Sequence, residues 1–267
     1  MTSNTDLQQI TLQVCQLARS VGWYLKDEID KLGSTEIETK GLNNFVTYVD
    51  KTAEHQIIEA LKQILPDAGF IAEETPDAIT KDRYNWVIDP LDGTTNFIHG
   101  LPVYSISIAL MEKDEVISGV VFEPNQNECF YAWKGGPAMM NEQQVEVSKA
   151  ATIKDSLLTT GFPYYDFSKI DQYLELFRFL MKNSHGIRRF GSAAVDLAYV
   201  ACGRFDGFYE YSLHPWDVAA GSLIVKQAGG KISDFSGKKN YIFGKEIVAT
   251  NEKIYIEFMD EIKKYFA

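Results

Sequence analysis

The 267-residue chain contains only three cysteines, so it predicts neither a disulfide framework nor a zinc site built from paired cysteines. Cys15, Cys129 and Cys202 lie far apart, and no two of them form a Cys-x-x-Cys pair. The first ten residues have neither the basic start nor the apolar run of a signal peptide. No stretch approaches the roughly 20 apolar residues that a membrane-spanning helix needs. These absences predict a cytoplasmic protein that does not enter a membrane.

Basic residues are also scarce relative to acidic ones. The chain has 26 Lys and Arg against 37 Asp and Glu, which gives a formal net charge of −11 and a pI near 4.9. Nucleic-acid binding usually needs a basic face, so no nucleic-acid partner is expected. The sequence has no Gly-x-x-x-x-Gly-Lys-Ser/Thr motif for a P-loop kinase and no His-Glu-x-x-His motif for zinc. An anionic substrate would therefore depend on a metal ion or a local cation.

Blocks of helix-like and strand-like pattern predict a layered α/β fold of the α+β type. Hydrophobic residues make up 45% of the chain, enough for a sizeable core. We expect one domain over residues 1–267, with an N-terminal α+β part to about residue 145 and a C-terminal α/β part from about 146. Residues 34–49 are polar and predict an exposed loop or hairpin. Predicted helices cover 5–32, 50–65, 170–183, 192–202, 216–228 and 251–265, and predicted strands cover 70–72, 86–88, 103–111, 116–122, 129–132, 156–160 and 206–210.

Carboxylates follow two short apolar strands and open one helix. The first strand ends at Glu73, the second leads to Asp89 and Asp92, and Asp217 lies at the start of a predicted helix. Brought together, these groups would repel one another strongly unless cations compensated them. Oxygen ligands suit a hard ion such as magnesium, which keeps water molecules and binds phosphate. The set therefore predicts a magnesium site.

The residues after Asp92 supply features of a phosphate site. Gly93 lets the backbone approach a ligand closely, and Thr94-Thr95-Asn96 are typical of the opening turn of a helix. The free amide groups and positive dipole end of such a turn suit a phosphate. Each motif also has an ordinary structural explanation, because Asp-Gly is a common turn and Thr94, Thr95 or Asp217 could simply cap a helix. The sequence pattern alone leaves both explanations open.

Two long motifs resemble the signatures of the inositol monophosphatase family. Residues 86–100 read WVIDPLDGTTNFIHG, and residues 214–230 read HPWDVAAGSLIVKQAGG. The resemblance extends to FIAEE at 70–74, TYVD at 47–50 and FGSAAVD at 190–196. It implies a layered α-β-α-β-α sandwich, usually dimeric, with magnesium-dependent and lithium-sensitive phosphatase activity.

The resemblance also implies roles for single residues. Glu73 would assist the attacking water, and Asp50 and Thr94 would orient it. The expected magnesium ligands are Glu73, Asp89, Asp92 and Asp217, together with the backbone carbonyl of Leu91. The expected substrate contacts are Asp92, Gly93 and Thr94 around the phosphate, and Gly191, Ser192, Ala193 and Glu210 around the sugar-like alcohol.

Two positions depart from the family pattern. Lys40 lies about where the family places a lysine on a mobile loop, although the spacing of that loop is not firmly aligned. Pro215 precedes the Trp-Asp pair where some members have cysteine. We expect the proline to shape the start of the helix without removing Asp217.

The resemblance predicts a phosphoric monoester hydrolase whose substrate is myo-inositol 1-phosphate, cleaved by in-line attack of a metal-activated water. One alternative is a phosphatase for bisphosphorylated nucleotides or fructose bisphosphate. Thr95-Asn96-Phe97 follows the inositol phosphatase version of the motif, whereas the nucleotide version usually resembles Lys-Glu-Phe. A second alternative is a dual-role protein that also binds RNA or transcription machinery. The expected partners are a small phosphate monoester and a second copy of the chain.

Overall fold

The structure is a computed structural model that describes residues 4–29, 31, 37–41, 44–75 and 79–266. None of the helices in these ranges has both the length and the apolar character needed to cross a membrane. The helices are α1 (Asn4–Glu28), α2 (Tyr48–Ile64), α3 (Thr94–Ile98), α4 (Ile170–Asn183), α5 (Ala193–Ala201), α6 (Pro215–Gln227) and α7 (Tyr255–Phe266).

The strands form a hairpin and two larger sheets. The hairpin pairs β1 (Ile37–Gly41) with β2 (Asn44–Thr47) in antiparallel orientation. A seven-stranded sheet follows chain order, and only its first pair, β3 and β4, is parallel among the described residues. Its strands are β3 (Gly69–Ala72), β4 (Tyr84–Asp92), β5 (Ser105–Glu112), β6 (Glu115–Glu123), β7 (Glu128–Trp133), β8 (Met139–Met140) and β9 (Gln143–Gln144).

A five-stranded sheet lies further along the chain, with the order β11-β10-β12-β14-β13. The strand β10 is parallel to both of its neighbours, and the remaining pairs are antiparallel. The sheet is therefore mixed. Its strands are β10 (Leu157–Thr160), β11 (Gly186–Arg188), β12 (Gly207–Tyr211), β13 (Lys231–Ser233) and β14 (Glu246–Thr250).

Helices and sheets alternate in five layers. The helices α1 and α2 cover one face of the seven-stranded sheet, and α5 and α6 cover the other face. The same pair, α5 and α6, also packs on the five-stranded sheet, whose outer face is covered by α4 and α7. This arrangement confirms the predicted α-β-α-β-α sandwich.

The alternation of side chains in β5 explains how one sheet serves two cores. Ile106 and Ile108 pack on the side of α1 and α2, whereas Ala109 and Met111 pack on the side of α5 and α6. Because both faces are buried, the sequence of β5 is mostly apolar, with apolar residues on both of its faces. For the same reason α5 and α6, which lie between two sheets, are apolar around most of their circumference.

The predicted elements agree with the structure in type, and they differ mainly at their ends. The helix predicted to reach residue 32 ends at Glu28, and residues 30 and 32–36 lie outside the described residues. The last helix begins at Tyr255 instead of 251, because the Asn251 side chain accepts the backbone N–H groups of Lys253 and Ile254 in a turn before it. The strands β8, β9 and β11 were not predicted, since they are only two or three residues long.

Candidate active site

A cavity of about 330 Å³ opens where the seven-stranded sheet, α3, α5, α6 and β12 meet. Residues distant in sequence reach it from these different elements. The acidic residues that line it are Glu73, Asp89, Asp92, Asp196, Glu210 and Asp217.

Three of the predicted metal ligands lie together. Carboxylate oxygens of Asp89, Asp92 and Asp217 all lie within 4.8 Å of one another. Magnesium binds oxygens at about 2.1 Å in octahedral geometry, so ligand oxygens lie about 3–4 Å apart and this spacing is compatible with one ion. Glu73 lines the same cavity, because the parallel register of β3 and β4 pairs Ala72 with Ile88.

Backbone and hydroxyl donors orient each of these aspartates. Asp89 accepts the Leu91 backbone N–H at 2.9 Å, in a part of β4 where the pairing register with β5 shifts. Asp92 accepts the Ser192 hydroxyl and the Ala194 backbone N–H, both at 2.7 Å, at the start of α5. Asp217 accepts the His214 backbone N–H at 2.6 Å as part of the N-terminal cap of α6. His214 is thus the N-cap of α6, and Asp217, the third residue of the helix, completes a capping box instead of being the N-cap itself. Its carboxylate also lies near those of Asp89 and Asp92.

Burial and mutual repulsion favour the protonated form of the cluster. Burial raises the pKa of Asp92 to about 6 and that of Asp217 to about 8. Burial, together with the neighbouring charges of Glu73, Asp92 and Asp217, raises the pKa of Asp89 well above its usual value. A divalent cation would compensate this charge and favour the ionised form. The donor set and its electrostatics therefore fit a hard divalent metal ion.

Asp50 and Thr94, which are 44 residues apart in the chain, lie within hydrogen-bond distance of each other. The Thr94 hydroxyl is 3.2 Å from Oδ1 of Asp50 and 3.0 Å from the Leu91 carbonyl oxygen. The backbone N–H and hydroxyl of Thr47 hold Oδ2 of Asp50 at 2.9 and 2.6 Å. Asp50 is buried in α2, and this burial raises its pKa. The pair thus links α2 to the turn that opens the short helix α3.

The predicted alcohol-binding residues line the same cavity on the side of α5 and β12. Ser192 is the N-cap of α5, and its hydroxyl accepts the Val195 backbone N–H while it donates to Asp92. Glu210 projects from β12 and is buried, which raises its pKa well above the usual value. Gly191 and Ala193 flank the N-cap.

Several cavity residues were not identified from the sequence. Arg189 lies beside Gly191, and Asp196 accepts a hydrogen bond of 2.6 Å from the Thr159 hydroxyl. Gly161 faces Glu210 so closely that a side chain there would overlap the carboxyl group. The segment FGSAAVD already contains Asp196, but no local pattern indicated that it lines the cavity.

The two departures from the family pattern have different outcomes. Pro215 occupies the first turn of α6, where its missing N–H has no helical partner to lose. Asp217 keeps its place two residues later, as expected. The backbone of Lys40 lies in β1, and its side chain lies outside the part of the chain that is described.

Comparisons with known proteins agree with these observations. The profile of the inositol monophosphatase family matches residues 6–264. A Neisseria meningitidis protein named putative Nus factor SuhB is 39% identical over 93% of this chain and 95% of its own length. An inositol-1-monophosphatase of Mesorhizobium japonicum is 36% identical over 93% of this chain and 94% of its own length. The solved structure of the extragenic suppressor protein suhB from Bartonella henselae has a TM-score of 0.91 at 37% identity, covering 96% of this chain and 99% of its own.

Proposed function

Because the chain belongs to the inositol monophosphatase family, we propose that it is a magnesium-dependent phosphatase for small phosphate monoesters, with myo-inositol 1-phosphate as the preferred substrate. One observation carries this proposal. The aspartate cluster, the turn at Gly93 and Thr94, and the buried carboxyl group of Glu210 all border one cavity of about 330 Å³. A cavity of this size suits a small ligand.

The proposed magnesium ligands are Asp89, Asp92 and Asp217, joined by Glu73 and by the backbone carbonyl of Leu91. The hydrogen bonds from Leu91, Ser192, Ala194 and His214 keep the three aspartates in place before an ion arrives. When bound, magnesium would lower the pKa of a water molecule and stabilise negative charge on phosphate oxygens.

Asp50 and Thr94 would orient the attacking water. A hydroxyl group that donates its proton to Asp50 can only accept at its remaining positions, so the Thr94 oxygen would accept a proton of the water. Glu73 lines the same cavity as Thr94 and would assist in removing the other proton. Aligned reactants of this kind lower the barrier because the entropy of positioning is lost before the chemical step.

The two ends of the substrate would contact different elements. We assign the phosphate to the backbone N–H groups of Gly93 and Thr94, beside Asp92. The alcohol would lie against Gly191, Ser192 and Ala193 and against Glu210. The carboxyl group of Glu210 is buried and lines the cavity, so it could accept a hydrogen bond from a substrate hydroxyl.

A screen of phosphate monoesters with purified protein and magnesium tests the proposal. We expect kcat/KM for myo-inositol 1-phosphate to exceed that for an adenosine bisphosphate and for fructose bisphosphate. Preference for either bisphosphate would instead support the first alternative drawn from the sequence. The absence of phosphate release from every ester would refute the phosphatase function.

Lithium sensitivity and dimerisation are further parts of the proposal. Lithium should inhibit turnover at millimolar concentration, and an unchanged rate across a lithium titration would contradict this. For the dimer, support comes from α4, where Leu174 and Met181 are 49% and 52% exposed and lie two turns apart on one face. Light scattering should give twice the mass of the chain, and a monomer mass would refute the dimer.

A second role in binding RNA or transcription machinery has support in the name of the Neisseria relative, a putative Nus factor. The net charge of −11 favours a protein surface over RNA as its target. Copurification with core RNA polymerase, measured beside an RNA-binding assay, separates the two. Binding to neither would leave the phosphatase as the function.

A further inference from the structure

A guanidinium group lies on the alcohol side of the cavity. Of the described residues that line the cavity, Arg189 alone carries a permanent positive charge. Its guanidinium carbon lies 5.4 Å from the ring centres of both Phe162 and Tyr164. Nη2 of Arg189 donates a short hydrogen bond to the Tyr164 hydroxyl. The two rings and this bond hold the planar group in one orientation.

Most donors of this group are unused. A guanidinium has five N–H donors, and within the described residues the hydrogen bond to Tyr164 is the one that Arg189 makes. Its Nε is buried and has no hydrogen-bond partner there. An unpaired buried donor is destabilising, and because Arg189 lines the cavity, a ligand there could supply acceptors for the N–H groups of the guanidinium.

Two glycines leave room for the guanidinium group of Arg189 and the carboxyl group of Glu210. A Cβ atom at Gly191 would lie 2.5 Å from Nη1 of Arg189, so the guanidinium packs directly on the backbone there. A Cβ atom at Gly161 would overlap the carboxyl group of Glu210. Arg189 and Glu210 both line the cavity.

The pair matches the chemistry of a polyol. A hydroxyl group both donates and accepts, a guanidinium only donates, and the carbonyl oxygen of a carboxyl group accepts in either protonation state. Neighbouring hydroxyls can therefore use both groups at once. We propose, building on the function proposed above, that Arg189 is a specificity-determining residue that donates to hydroxyl oxygens of a cyclic polyol phosphate while Glu210 accepts from a neighbouring hydroxyl.

The test combines two enzyme variants with a series of substrates. Arg189→Gln removes the charged donors, and Arg188→Gln is the matched control, because Arg188 is the preceding residue, is exposed and bonds its own backbone neighbour Ile187. Each protein is assayed with myo-inositol 1-phosphate and its monodeoxy analogues. Mass and melting temperature are measured for all of them, so that unfolding or dissociation is recognised.

We expect Arg189→Gln to lower kcat/KM for myo-inositol 1-phosphate about ten- to a hundredfold, mainly through KM, as for the loss of a hydrogen bond from a charged donor. Arg188→Gln should behave like the wild type. At least one monodeoxy analogue should be poor for the wild type and no poorer for Arg189→Gln, since each change removes the same contact.

Two results overturn the proposal. In the first, the loss of kcat/KM caused by Arg189→Gln and the loss caused by the missing substrate hydroxyl multiply for every monodeoxy analogue. In the second, Arg189→Gln has the same kcat/KM as Arg188→Gln. If Arg189→Gln does not fold, Tyr164→Phe decides, because it removes one bond to the guanidinium and leaves the group present. Tyr164→Phe should raise KM for myo-inositol 1-phosphate more than for the monodeoxy analogue that lacks the hydroxyl contacted by Arg189. Equal effects on the two substrates would refute the assignment. If the wild type hydrolyses no polyol phosphate, the proposed function itself fails, which is a separate outcome.

Discussion

The Thr94→Ala substitution tests the proposed orientation of the attacking water. It deletes a hydroxyl that lies 3.2 Å from Asp50 and 3.0 Å from the Leu91 carbonyl, and it leaves all proposed magnesium ligands in place. If the hydroxyl positions the water, its loss removes about 3–4 kcal/mol of transition-state stabilisation, which corresponds to roughly a hundred- to thousandfold in kcat. The loss of one hydrogen bond should lower the free energy of unfolding by only about 1 kcal/mol.

The assay is phosphate release from myo-inositol 1-phosphate at saturating magnesium and substrate. Thr95→Ala is the matched control, since it removes the same atoms one residue later in α3. Among the described residues, Asp50 accepts from Thr94 and not from Thr95. The control should keep kcat within about threefold. Asp50→Asn should reduce kcat similarly to Thr94→Ala, and the double variant should lose little more, because the two groups act as a unit.

Three results would refute this reasoning. A folded Thr94→Ala variant with full kcat would make the hydroxyl a simple structural contact of the turn. Equal losses in Thr94→Ala and Thr95→Ala would point to a general disturbance of α3. Additive losses in the Asp50 and Thr94 variants would show that the residues act independently.

Three further perturbations probe other parts of the site. Asp92→Asn keeps the shape and removes a charge, so the half-saturating magnesium concentration should rise at least about tenfold, measured by titration of activity; an unchanged value would exclude Asp92 as a ligand. In the metal-free protein, the pKa of Asp92 (about 6) and that of Asp217 (about 8) exceed the unfolded value of 3.8. The folded state therefore binds more protons than the unfolded state between these values. The melting temperature should fall as pH rises from 4 to 8. Thermal denaturation in chelator measures this, and a rising melting temperature would contradict it. Ser192→Ala removes the N-cap hydroxyl of α5 and its bond to Asp92, so the free energy of unfolding should fall by about 1 kcal/mol, a shift of about 2–4 °C; no shift would mean that the cap is dispensable.

The sequence predicted the part of the site that is encoded locally. Apolar strands that end in acids, at Glu73 and Asp89, and an aspartate in the first turn of a helix, at Asp217, are visible as patterns. That these acids meet depends on the register of β3 with β4 and on the placement of α6, which no local pattern specifies. The resemblance to a family supplied that missing information.

Non-local contacts account for what was not predicted. The pairing of Asp50 with Thr94 joins residues 44 apart and was expected only from the resemblance. Gly161 was not predicted because its role depends on β12, which places Glu210 next to it. Arg189 was not predicted because its position depends on the rings of Phe162 and Tyr164. Their sequence neighbours give no indication of these contacts.

Phosphate release from myo-inositol 1-phosphate by protein verified to be free of metal is the most direct test of the central claim. The carboxyl groups of Asp89, Asp92 and Asp217 cannot by themselves lower the pKa of a water molecule or balance the charge of the substrate phosphate, so turnover should be absent in chelator. Addition of magnesium in excess of the chelator should restore it fully. Full turnover of the verified metal-free protein would contradict the account.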